Sequence, residues 1–257
     1  MIGVAESLDA TAETAVRKAA ELRSPGRMLV SSMLAGAFIG VGEVLLLAAV
    51  SPLVAGHSPW VKLVEGAVFP IALTMVMFAG AQLFTSNVLV MTVGALAGRT
   101  GRRDLAGSWG FSLLGNLAGA FGFAALVHAS GVLAAPAAQR MLAELVHGKE
   151  ALGGGELFWR GVLCNFLVCL AVWMFGRVEG DGAKALVLWL PVLVFVAVGF
   201  EHCVADMALY ALGVLDGSAS VGGLLRTLLY VVPGNAVGGA VLVGLAYWVA
   251  GRPARPA

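Results

Sequence analysis

Apolar residues run along this chain in six long stretches separated by short polar clusters, at about 28–50, 63–97, 106–133, 156–176, 185–213 and 231–250. Each approaches or exceeds the roughly 20 residues an α-helix needs to cross a hydrocarbon core. The pattern predicts six membrane-spanning helices. Ahead of them, Val4, Leu8, Ala12, Ala15, Ala19 and Leu22 recur at helical spacing among charged residues. That spacing predicts an amphipathic helix, lying on the membrane surface or packed on the domain. The expected organisation is an amphipathic cytoplasmic helix at 1–27, a transmembrane domain at 28–252 and a short cytoplasmic tail at 253–257.

The second and fifth stretches are not uniform. Residues 80–87 (GAQLFTSN) and 199–206 (GFEHCVAD) place polar side chains in the middle of otherwise apolar runs. Polar groups at that depth are costly unless they line a cavity or find partners, so both spans are predicted to be broken helices. The two interruptions are related by an offset of 119: Gly80 maps onto Gly199, Gln82 onto Glu201, Asn87 onto Asp206 and Gly94 onto Gly213. The same offset carries Gly115-Asn116 onto Gly234-Asn235 and Gly119 onto Gly238. With three spans per copy, the second copy must cross in the opposite sense. Such inverted repeats place their solute site near the midplane, between the broken helices. The N-terminal end of each second half-helix is electropositive, which favours an anion. The expected fold class is therefore an all-α integral membrane protein, six transmembrane helices in an inverted three-helix repeat, forming a small-solute pore or transporter.

Composition agrees. The chain is 60% hydrophobic and 12% charged, with a mean hydropathy of +0.92; soluble domains carry roughly a quarter charged residues. A net charge of +1 gives no electrostatic footprint for nucleic acid. Cys164, Cys169 and Cys203 sit in apolar runs without metal-ligand spacing, so no metal and no cofactor is expected. Eleven of the 16 Lys and Arg residues fall on the side of the termini; Lys62, Arg140, Lys149, Arg160 and Arg226 fall on the other. This bias puts both termini in the cytoplasm of a bacterial-type inner membrane.

His202 is the histidine at midplane depth, and the ordinary pKa of an imidazole, about 6.5, suits proton exchange near neutral pH. Gln82 and Glu201 are repeat mates expected to satisfy backbone groups freed by the breaks. Thr85 and Ser86 supply hydroxyls that either cap the following half-helix or meet the solute. Asn116, Asn165 and Asn235 read as a bracing polar network, and Glu43 is an intramembrane carboxylate without an assigned role. A neutral-solute channel of the aquaporin type would need Asn-Pro-Ala at both breaks, and neither has it. An intramembrane serine protease would have to pair Ser86 with His202, but Ser86 lacks the Gly-x-Ser context, and metal-ligand clusters are missing. No catalytic residue is assigned.

At AGAQLFTS (79–86), GVLCNFLVCLAVWM (161–174), GFEHCVADM (199–207) and PGNAVGG (233–239) the sequence resembles the formate/nitrite transporter family, with a likeness that extends from about residue 10 to 250. The resemblance implies an aquaporin-like fold, a homopentamer with one pore per protomer, and transport of small monovalent anions with protons. It implies that His202 is the central pore histidine, that Thr85 belongs to a mobile loop gate with Ser86 beside it, and that Lys149 attracts the anion. It also implies constrictions at Phe69 and Phe195 on the periplasmic side and at Leu73, Leu83 and Phe84 on the cytoplasmic side. The family usually has Asn where this chain has Asp206; at a helix start a negative charge is favourable. The short C-terminus and residues 177–180 (RVEG) look more like the nitrite-transporting branch, so nitrite is the expected substrate, ahead of formate and hydrosulfide. The expected mechanism is concentration of the anion in positive vestibules, then protonation at or near His202, so that a neutral weak acid crosses the apolar ring.

Overall fold

The computed structural model describes residues 1–251; the tail at 253–257 and the basic residues Arg252 and Arg255 lie outside them. The described residues form α1 (Val4–Glu21), α2 (Pro25–Ala55), α3 (Val61–Val68), α4 (Ile71–Ala79), α5 (Phe84–Leu96), α6 (Arg102–Ser130), α7 (Pro136–Glu150), α8 (Gly154–Arg177), α9 (Asp181–Val198), α10 (Cys203–Asp216) and α11 (Val221–Val237). A π-helical stretch, Gly238–Leu245, carries α11 on into α12 (Ala246–Ala250). Six segments are long and apolar enough to cross a bilayer: Pro25–Ala55, Val61–Ala79, Arg102–Ser130, Gly154–Arg177, Asp181–Val198 and Val221–Ala250. The described residues are all-helical, and the chain is a multi-pass membrane protein.

Two elements differ from the sequence reading. The sixth span starts at Val221 rather than near 231, because Ser220 caps it by accepting the Gly223 N–H at 3.0 Å. Arg226 is held within it by donating to the carbonyls of Glu150 and Leu152. Between the third and fourth apolar stretches the chain forms a further helix: Pro136 opens α7, which buries Ala138, Met141, Leu142 and Val146.

The helices sort into two close pairs, α2 along α6 and α8 along α11. Each is closed at a glycine pressed onto a neighbouring backbone, Gly119 on the Met33 carbonyl and Gly238 on that of Val162. A methyl group at either position would overlap that carbonyl. α1 packs on the domain: Leu8, Ala12 and Ala15 are buried against residues of α5, including Leu89 and Val93.

Candidate functional site

The helical run stops at Ala79 and restarts at Phe84, and stops again at Val198 and restarts at Cys203. Gly80 (φ 80°) and Gly199 (φ 83°) turn the chain out of the helix, a left-handed conformation that glycine adopts without steric cost. The exposed backbone groups are then bound by two asparagines in the same way. Asn116 accepts the Phe84 N–H at 2.9 Å and donates to the carbonyls of Ser32 (2.8 Å) and Gln82 (2.9 Å). Asn235 accepts the Cys203 N–H at 2.9 Å and donates to the carbonyls of Gly161 (2.8 Å) and Glu201 (2.9 Å). The Gln82 and Glu201 N–H groups reach the carbonyls of Ser31 (3.2 Å) and Arg160 (3.3 Å).

The backbone work expected of the Gln82 and Glu201 side chains thus falls to the asparagines. A short amide reaching across from a neighbouring helix meets both a freed donor and freed acceptors, whereas the longer side chains leave the break and meet lysines. The amide of Gln82 accepts from Lys18 (2.6 Å) and donates to Glu21 (2.8 Å); Glu201 pairs with Lys149.

Between the breaks the starts of α5 and α10 face each other. Thr85, the second residue of α5 and fully buried, has its Oγ1 3.0 Å from His202 Nε2. His202 is the N-cap of α10, and its Nδ1 accepts the Ala205 N–H at 3.1 Å. That bond fixes the tautomer: Nδ1 is the acceptor, so Nε2 carries the proton and donates to Thr85. Asn165 ties the halves together by donating to the carbonyls of Thr85 (3.3 Å) and Asn235 (2.7 Å). Phe195 stacks on the His202 ring with centroids 6.0 Å apart and meets Phe69 edge-on at 6.1 Å.

Phe69, Leu73, Leu83, Phe195 and His202 enclose a cavity of about 10 Å³. A water molecule needs roughly 10–15 Å³, so the cavity has no room for a hydrated ion. Phe84 takes no part in that ring; its side chain packs edge-on against Trp109 of α6. Ser86 donates to the Leu83 carbonyl at 3.0 Å, pinning the first turn of α5, and also lines the vestibule on the α1 side.

Two vestibules flank the ring. The one on the α1 side, about 250 Å³, is lined by the polar face of α1, including Ser7, Thr11, Thr14 and Lys18. Burial pulls the pKa of Lys18 down to about 8, and Glu21 offsets part of that fall. The vestibule on the α7 side, about 370 Å³, holds Lys149, Lys62 and Arg160 among Glu43, Glu65, Glu144, Glu201 and Asp206. It is not the basic funnel expected from the sequence: carboxyl groups outnumber basic groups by five to three. Lys149 contacts Glu201 Oε2 and lies 2.8 Å from Asp206 Oδ1. Burial works against its charge, but the carboxyls of Asp206 and Glu201 outweigh burial and hold its pKa above the ordinary lysine value.

Sequence reasoning missed Lys18, Glu65 and Arg160 as site residues and left Glu43 unassigned. Lys18 and Lys149 each reach a break residue from the helix that precedes a set of three spans, but no common spacing marks them. Arg177, read as a marker of substrate branch, donates to the Ile2 carbonyl and secures the N-terminal residues.

The family model described as Formate/nitrite transporter matches residues 5–249. The nitrite transporter NirC of Salmonella typhimurium is 37% identical over 224 residues, which cover 86% of this chain and 82% of that one. A probable formate transporter of Methanothermobacter thermautotrophicus is 36% identical over 261 residues, covering 93% and 94%. Among solved structures, an FNT family ion channel superposes with a TM-score of 0.89 at 36% identity, covering 95% of this chain and 98% of that one. A pentameric formate channel with formate bound superposes with a TM-score of 0.74 at 25% identity, covering 89% and 98%.

Proposed function

The chain belongs to the formate/nitrite transporter family, and on that premise we propose that it moves a small monovalent weak-acid anion, nitrite first, across the membrane as the neutral acid. Its relatives are transporters and channels, and the chain is a transport protein rather than an enzyme. The observation that carries the reading is the apolar ring around a 10 Å³ cavity, whose one polar contact is His202 to Thr85. A bare anion has no room for its water there, and stripping an ion costs several kcal/mol even after relaxation. A proton added at or beside His202 removes that cost.

The converging starts of α5 and α10 supply two electropositive helix ends to draw the anion. In this reading Lys149 attracts it from the α7 side, and Phe69, Leu73, Leu83 and Phe195 form the constriction. Thr85 gates by releasing His202, and Phe84 holds α5 in place. Relatives named as nitrite transporters support nitrite; a comparably similar formate transporter makes formate the second reading. The matched Asn116 and Asn235 brackets support two inverted copies of one unit. Charge bias supports cytoplasmic termini in a bacterial-type inner membrane, with α1 packed on the cytoplasmic side of the domain, and the pentameric neighbour supports a homopentamer.

His202→Asn in proteoliposomes tests the histidine. Asn keeps an acceptor for the Ala205 N–H, so the α10 cap survives, while Nε2–H is lost. We expect nitrite uptake to fall at least tenfold, with lumen acidification falling in step. Unchanged acidification per nitrite at wild-type rate would remove His202 from the proton path.

A further inference from the structure

The α7-side vestibule combines an excess of carboxyl groups with a proposed anion path, two features that oppose each other if every carboxyl is ionised. Asp206 is completely buried, yet it lines this vestibule. Lys149 pairs with its Oδ1 at 2.8 Å, and no donor reaches its Oδ2. Glu201 sits on the same ammonium through its Oε2, so the two acid groups are brought together at one nitrogen. Two carboxylates are acceptors only, and facing each other they repel; a hydrogen bond between them requires one proton.

The other copy of the motif gives an internal comparison. At the positions equivalent to Glu201 and Asp206 the chain carries Gln82 and Asn87, which are neutral amides on a similar backbone. The fold therefore accommodates an uncharged group at both places. A metal ion is not the occupant between the carboxyls, because Lys149 already fills that position.

We propose that Glu201 and Asp206 share one proton beside Lys149, and that this proton loads the incoming anion on the α7 side. The loading half rests on the weak-acid reading above; the shared proton does not. With one proton, the Lys149, Glu201 and Asp206 cluster is neutral and leaves the dipoles of α5 and α10 unopposed. In the loading step the shared O–H bond breaks and an O–H bond forms on the anion. Both carboxylates remain on Lys149, and a proton from vestibule water restores the pair. Nothing is oxidised or reduced.

The groups that face the pair come from several elements. α7 brings Lys149, α8 brings Arg160 beside Glu201 and the Cys164 thiol, and α10 itself brings Cys203. α2 brings Glu43, which lies near Lys149, Glu65 and Glu201; Glu65 of α3 is paired with Lys62 at 2.8 Å. α11 brings the Asn235 amide, bonded to the Glu201 carbonyl. His202 shares the vestibule with its Nε2 on Thr85. As pH rises through the titration of the pair, the cluster goes from neutral to one net negative charge. Anion flux from the α7 side then falls twice over, through repulsion and through loss of the acid.

Infrared spectra of the purified protein in water and heavy water read the proton directly. The expected result is the carbonyl stretch of a protonated carboxyl at neutral pH in wild type, shifted by deuterium, lost at alkaline pH, and absent from Asp206→Asn. In proteoliposomes Asp206→Asn should lose the alkaline fall in flux that wild type shows. No such band in wild type, or a band that persists in Asp206→Asn, overturns the proposal, and so does an unchanged alkaline fall in the variant. Should Asp206→Asn fail to fold, the wild-type band must still disappear over the pH range in which flux falls, and a mismatch overturns the proposal. A titrating band without flux of any anion would sink the transport reading and leave the shared proton standing; normal flux without the band would do the reverse.

Discussion

His202 does two jobs with one ring. Its Nδ1 caps α10 and its Nε2 meets Thr85, so the residue that starts one helix also joins it to the start of another. The sequence announced it by depth alone, as an ionisable side chain inside an apolar run. Its partners were out of reach, because Thr85 lies 117 positions away and only folding joins them. Lys18 shows the same limit from the other side. It counted merely as one basic residue near the N-terminus, yet it is drawn in against Gln82 and its pKa falls to about 8. Between about pH 8 and the ordinary value of 10.5, the unfolded chain binds a proton there that the folded chain does not. Stability therefore rises with pH across that window, and below it the buried charge exerts its full cost. Lys18→Met should remove this dependence. In thermal unfolding in one detergent, the stability of wild type relative to the variant should improve from about pH 7 to about pH 10. A constant difference would mean that Lys18 is not held in this buried setting.

At the scale of elements, two brackets hold the site. Asn116 and Asn235 each start a half-helix and bind a freed carbonyl in the break and another on a neighbouring helix. The offset of 119 that relates them was visible in the sequence because Gly, Asn and Gln or Glu recur in order. A second relation was not. Ser31, Ser32 and Met33 on α2 play the parts that Arg160, Gly161 and Val162 play on α8, at an offset of 129 rather than 119. They act through backbone carbonyls, which every residue has, so no side-chain pattern records them. α7 leaves no span-length apolar stretch in the sequence: of its 15 residues only Ala138, Met141, Leu142 and Val146 are buried, and they become a face only when it docks. Asn116→Ala and Asn235→Ala should each cost about 3 kcal/mol, since a buried N–H and buried carbonyls lose their partners together. Thermal unfolding of the purified variants checks this. A loss within about 0.5 kcal/mol would show that the brackets do not hold the breaks.

For the molecule as a whole, hydropathy and length were enough to fix the class, because a bilayer leaves few ways to bury a backbone. Leu114, Leu126, Leu225, Leu229 and Val249 point outward and are more than half exposed, a surface suited to lipid or to further copies of the chain. What the whole fold adds is an arrangement in depth: two vestibules, a tight apolar ring between them, and the His202–Thr85 contact where α5 and α10 meet. The charge of the α7-side vestibule could not be read from the sequence, since its lining comes from α2, α3, α7, α8, α9 and α10. The central claim is that an anion crosses this ring together with a proton. Uptake of nitrite into proteoliposomes carrying an internal pH dye, with formate and hydrosulfide in parallel, tests it most directly. Nitrite uptake is expected at the highest rate, with one proton per anion seen as acidification of the lumen. Nitrite uptake that sets up a membrane potential without acidification, or passage of neutral solutes with no anion flux, would contradict it.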